Sequence, residues 1–168
     1  MADDTRDELE RIFRALQAGT LPPEETYHVV HEFGEHNFRE AFPVVEPLVH
    51  SSDPQLRAVA LEVIAGHWGM PGYWDTIVRR LTEDPDRACR FRAAILIGAL
   101  KRNTGDQEAL HLLAQVVSNT AEDHLVRASA YGAMLSIMHY APLDVFNASG
   151  PRFDPDRNVD WEMVKRYV

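Results

Sequence analysis

The sequence predicts an all-α fold, a short right-handed solenoid of about four helix hairpins with a C-terminal cap. Three observations predict it. Apolar residues recur at helical spacing along most of the chain, an arginine-centred pattern returns twice at an interval of 35 residues, and Pro- and Asp-containing breaks sort the amphipathic stretches into pairs. No stretch alternates apolar and polar residues as a strand would.

The first pair spans residues 7–37. Leu9, Ile12, Phe13 and Leu16 line one face of a helix that ends near Gly19, and Leu21-Pro22-Pro23-Glu24-Glu25 opens a second that runs to about Asn37. This is a degenerate first hairpin, as expected of an end repeat with one face toward water. Clearer hairpins follow at 38–66, 71–102 and 105–139. Their first helices carry Val44, Val45, Leu48 and Val49; then Ile77, Val78 and Leu81; then Leu110, Leu112, Leu113, Val116 and Val117. Polar breaks follow at 51–54, 82–86 and 118–123, where Ser and Asp can cap a helix and proline suits a first turn.

The second helices hold the repeat. Arg57, Arg92 and Arg127 are each preceded by an apolar residue (Leu56, Phe91, Val126) and followed by alanine (Ala58, Ala93, Ala128). Three, four and seven positions on come Ala60, Ile95 and Ala130; Leu61, Leu96 and Tyr131; Ile64, Ala99 and Met134. These offsets trace one helix face, and its alanines admit a close neighbour. A residue that keeps the period of the repeat serves the repeat, so the three arginines are expected to be structural. Residues 1–140 are thus read as solenoid and 141–168 as loop and cap. The stretch 141–157, with Pro142, Gly150, Pro151 and Pro155, reads as loop; Asp160 then caps a short helix bearing Trp161, Val164 and Tyr167.

Composition narrows the function classes. The 168 residues carry 17 Lys and Arg against 26 Asp and Glu, a formal charge of −9, which disfavours nucleic acid as a partner. A single cysteine, Cys89, leaves no disulfide framework and no cysteine-rich zinc site. No apolar run approaches the roughly 20 residues of a membrane span, and the acidic N-terminus lacks a signal-peptide pattern, so a cytoplasmic location is expected.

The breaks, the apolar-Arg-Ala openings and the proline-bent first helix Phe42-Pro43-Val44-Val45-Glu46-Pro47-Leu48 resemble the HEAT-repeat superfamily, in its short bacterial-type form, over residues 38–139 and more loosely over 7–37. The resemblance implies an aspartate ladder six positions before each arginine; those positions hold Ser51, Asp86 and Ala121.

Chemistry-bearing residues concentrate at 27–36, where His28, Glu32, Glu35 and His36 share one side of a helix with His31 beside them. Donors at i and i+4 can chelate one metal. His31, Glu32 and His36 miss the spacing of zinc proteases. They resemble the His-Glu pairs of deoxyhypusine hydroxylase, an iron enzyme of HEAT-like repeats, but that family needs such pairs in several repeats and only one exists here. Asp154, Asp156, Asn158 and Asp160 resemble the start of a calcium loop, which then fails at Val159 and Lys165. Residues 63–102 are locally basic, with Arg79, Arg80, Arg87, Arg90, Arg92, Lys101 and Arg102, and Trp74-Asp75 faintly resembles HEAT-like DNA glycosylases. Acidic sequence on both sides opposes that reading.

The expectation is therefore a non-catalytic protein–protein interaction or scaffold module without a cofactor, holding a partner segment along its second helices. His28, Glu32, Glu62, Arg90 and Lys101 are the expected partner-binding residues. The partner is another protein, with a basic segment matching the acidic N-terminal half. The alternative is a metal-dependent enzyme using His28, His31, Glu32 and His36.

Overall fold

The computed structural model describes residues 2–148 and 152–168, and among these every regular element is helical. The chain forms two compact units, Met1–Tyr73 and Trp74–Val168.

In the first unit, α1 (Ala2–Gln17) packs on α2 (Thr26–Glu35), and Gly19, at φ +67°, turns the chain between them. Leu9, Val29, Val30 and Phe33 supply the buried faces, and Phe13 meets Phe38 edge-on. The first helix of the next hairpin is broken, as its two prolines predict. It consists of a 3-10 turn at Arg39–Ala41, α3 (Phe42–Val45) and a second 3-10 stretch at Glu46–His50. Its partner, α4 (Pro54–Leu61), starts at the Asp53 cap, whose carboxylate accepts from the Gln55 N–H at 2.8 Å. Beyond Leu61 the helix widens into a π-helical turn, Glu62–His67, in which the Trp68 N–H reaches back five residues to the Val63 carbonyl.

In the second unit, α5 (Trp74–Glu83) pairs with α6 (Arg87–Leu100), and α7 (Gln107–Ser118) with α8 (His124–Ile137). Asp86, Asp106 and Asp123 cap the last three of these with their carboxylates. Every residue of α8 from Val126 to Ile137 is buried, because α6, α7 and the segments that follow surround it. The region expected to be loop is partly helical: α9 (Pro142–Ala148) lies along α8, and α10 (Pro155–Asn158) also meets it. Residues 149–151, with Gly150 and Pro151, lie outside the described residues. α11 (Trp161–Val164), capped by Asp160, reaches α7, where His111 Nδ1 lies 2.6 Å from the Tyr167 carbonyl. Tyr131 stacks on Phe153 at 5.4 Å and its hydroxyl accepts from the Asp160 N–H.

The hydrogen bonds correct the repeat register. Arg57 Nη1 donates to the carbonyls of Ser51 and Ser52, both at 2.9 Å. The residue making the same two contacts in the next hairpin is Arg90, whose Nη1 donates to the carbonyls of Asp84 and Pro85. Arg127 donates to the Val117 carbonyl and lies 2.8 Å from Asp156. Each of the three stands four positions after a capping aspartate: Asp53, Asp86 and Asp123. Arg90 therefore takes the place expected for Arg92, and the intervals are 33 and then 37 residues. α7 exceeds α5 by two residues, and the turn before α8 exceeds the turn before α6 by two more. In this register Ala60, Ala93 and Ala130 align as buried small residues, and Ile64, Ile97 and Met134 align in the core. Each of those large side chains contributes about 1.5–3 kcal/mol by leaving water. The residue six before the middle arginine is Asp84, which is buried and accepts from Arg80 Nη1 at 3.1 Å.

Candidate functional site

Two features gather chemistry that packing alone does not require. The first lies in the N-terminal unit. Successive residues of an α-helix are rotated by about 100°, so two residues five apart point about 140° away from each other. The π-helical turn undoes this separation and brings Glu62 and His67 toward one side, facing His31 on α2. The donor atoms of His31, Glu62 and His67 all lie within 4.8 Å of one another. His31 and Glu62 are half-buried and His67 is exposed.

Gly34 makes this approach possible. A Cβ there would stand 2.8 Å from Val63 Cγ2 and 3.1 Å from the His67 ring, so any other residue would have to push these side chains aside. The fully buried Trp68 fixes the same contact, donating from its indole Nε1 to the Phe33 carbonyl at 3.2 Å. The His31 and His67 rings meet edge-on at 5.9 Å, and Glu35 Oε1 lies 3.7 Å from His31 Nδ1.

The four metal candidates read along α2 do not come together. Of His28, His31, Glu32 and His36, only His31 joins a three-donor group among the described residues. His28 is exposed and packs edge-on against Tyr27, Glu32 is exposed, and His36 stands at the C-cap where the helix has ended. His67 escaped the sequence reading because its partnership with Glu62 exists only in a π-helical turn.

The second feature lies in the C-terminal unit. Ile95, Gly98, Ala99 and Arg102 of α6 and its C-terminal end face Ser129, Gly132, Ala133 and Ser136 of α8 across a groove of about 120 Å³, with Val145 of α9 at its edge. Gly98 lets the helices touch: its Cβ would fall 2.8 Å from Ala133 Cα. Ser136 Oγ donates to the Gly98 carbonyl at 3.1 Å, whereas the buried Ser129 Oγ has no partner among the described residues. Apolar side chains stand exposed nearby, Ile95 at 43 % on α6, and Leu143 at 67 % and Phe146 at 74 % on α9.

The remaining expected partner-binding residues are engaged within the fold. Arg90 makes a two-pronged contact with Glu122, through Nε at 2.9 Å and Nη2 at 2.8 Å. Lys101 Nζ lies 2.6 Å from Asp106 Oδ2 and 4.5 Å from the centre of the Trp74 ring. With Arg80 on Asp84 and Arg87 on Asp123, four of the seven basic residues of 63–102 are paired to carboxylates. Cys89 is buried as a packing residue, and Asp154 and Asp160 are spent on helix caps.

Paired antiparallel helices with capped turns and a repeating arginine define a helical-repeat protein. A family model described as HEAT repeats matches residues 43–135, more than half of the chain. The chain belongs to the HEAT-repeat family. No curated protein and no solved structure matches it.

Proposed function

We propose that the chain is a non-catalytic interaction module that holds a segment of another protein along its second helices. HEAT repeats are in general protein-interaction motifs, and the observation that carries the finer reading is the groove between α6 and α8. Its floor is built of glycine, alanine and serine, which lets a partner backbone or an apolar side chain come close. Ile95 stands exposed on its rim, and Leu143 and Phe146 stand exposed on α9, the helix that brings Val145 to the groove. The Ser129 hydroxyl beside it is buried with no hydrogen-bond partner among the described residues, an unmet cost in the isolated chain.

The N-terminal unit offers a different attraction. It carries a formal charge of −8, nearly the whole −9 of the chain. His28 and Glu32 are exposed on α2 and, with Glu62, remain our proposed contacts for a basic segment.

The test is a pull-down from native lysate at low and high salt, comparing wild type with Ile95→Asp and Glu32→Lys. A partner that survives high salt and is lost with Ile95→Asp supports the groove. One that is lost in high salt and with Glu32→Lys supports the acidic face. Proteins captured equally by all three chains, or none captured, overturn the proposal.

A further inference from the structure

We propose that His31, Glu62 and His67 bind one divalent transition-metal ion of the zinc class. Two imidazoles and a carboxylate are the donor set of three-ligand zinc sites, and they suit Fe²⁺ and Co²⁺ as well. The hard ions Mg²⁺ and Ca²⁺, which favour all-oxygen shells, are poor matches.

The donor spacing is close to that of a single ion. Bonds of about 2.0–2.1 Å at tetrahedral angles place neighbouring ligand atoms about 3.4 Å apart. The three donors here lie within 4.8 Å, so they need to draw together by no more than about 1.4 Å to reach that spacing. The backbone is already set. The π-helical turn aligns Glu62 with His67, the bare Cα of Gly34 leaves room for the His67 ring, and the Trp68–Phe33 hydrogen bond holds the turn to α2. A wide turn and a glycine late in a helix both weaken helical structure, the glycine by about 1 kcal/mol relative to alanine. Their joint effect is to assemble these three side chains.

The surroundings support the assignment. Glu35 Oε1 lies 3.7 Å from His31 Nδ1, beyond hydrogen-bond distance but close enough to become an outer carboxylate if His31 ligates through Nε2. Exposure of His67 gives the ion a path in from solvent and leaves a fourth position to water or to a donor from a bound partner. The site is distinct from the α2 set of His28, Glu32 and His36, and it does not depend on the groove of the C-terminal unit.

Titration of the tag-free 168-residue chain with Zn²⁺ by calorimetry, and with Co²⁺ by visible absorption, tests this. One equivalent should bind, and Co²⁺ should develop the intense bands of a tetrahedral site. Glu62→Gln and His67→Ala, neither of which removes a core side chain, should each weaken binding by at least about tenfold, a scale that even loss of an outer-shell partner can reach. His28→Ala and His36→Ala should bind as wild type does. Absence of one-equivalent binding, or equal binding in Glu62→Gln and His67→Ala with their helical circular dichroism intact, overturns the proposal.

Discussion

Arg90 grips Glu122 with two parallel hydrogen bonds while a third nitrogen reaches the carbonyls of Asp84 and Pro85. One side chain thus ties the turn before α6 to the turn before α8. Both partners are largely shielded from water, and Glu122 keeps the guanidinium more firmly charged than usual through that hydrogen bond. Arg90→Ala is expected to destabilise the chain by about 1–3 kcal/mol in urea unfolding, and Arg90→Lys should recover only part of this, because an ammonium lacks the planar fork.

Gly98→Ala tests the contact between α6 and α8. Alanine favours a helix over glycine by about 1 kcal/mol, so an open site would gain stability. Here the new methyl meets the Ala133 backbone at 2.8 Å, which cannot yield as a flexible side chain does. A net loss of about 1–3 kcal/mol is expected, read as a lower thermal midpoint.

Gly34→Ala has a more local consequence. Its methyl would press on Val63 and the His67 ring, so His67 should move away from Glu62. Zn²⁺ affinity should fall although no ligand is altered. Unchanged affinity would show that the histidine finds its place without the glycine.

Ser129→Ala removes a buried hydroxyl that lacks a hydrogen-bond partner among the described residues. The isolated chain should gain up to about 1 kcal/mol, since an unmet polar group costs free energy in the folded state alone. Denaturant midpoints of the two proteins decide it.

Asp106 supplies a pH dependence. Its hydrogen bond from Lys101, then that from the Ala109 N–H, hold its carboxyl below the ordinary carboxylate range. The folded value being the lower one, this contribution is fully present above the unfolded value, about 3.9, and is lost as pH falls through the folded value. Stability curves of wild type and Lys101→Met should therefore converge as pH falls through the folded value and lie fully apart above about pH 4.

The all-helical, paired architecture was legible because periodicity and breaks leave a direct trace in sequence. The register of the middle repeat was not. Arg90 and Arg92 stand two residues apart, and equal intervals favour Arg92; the unequal lengths of α5 and α7 become visible only when the capping aspartates are seen in place. α9 was hidden by its brevity and its opening proline, with Leu143 and Phe146 turned outward and Ala148 inward. At the candidate metal site the histidines of α2 drew the eye. Yet the donors that meet His31 come from 31 and 36 residues further along, through a turn whose width no residue pattern announces.

The burial of α8 along most of its length has a kinetic consequence. With every residue from Val126 to Ile137 buried and only the α6–α8 groove beside it, its amides exchange with solvent chiefly when the surrounding helices part from it. This helix should be the slowest-exchanging segment of the C-terminal unit, and its rate should report that unit's global opening rather than local fraying.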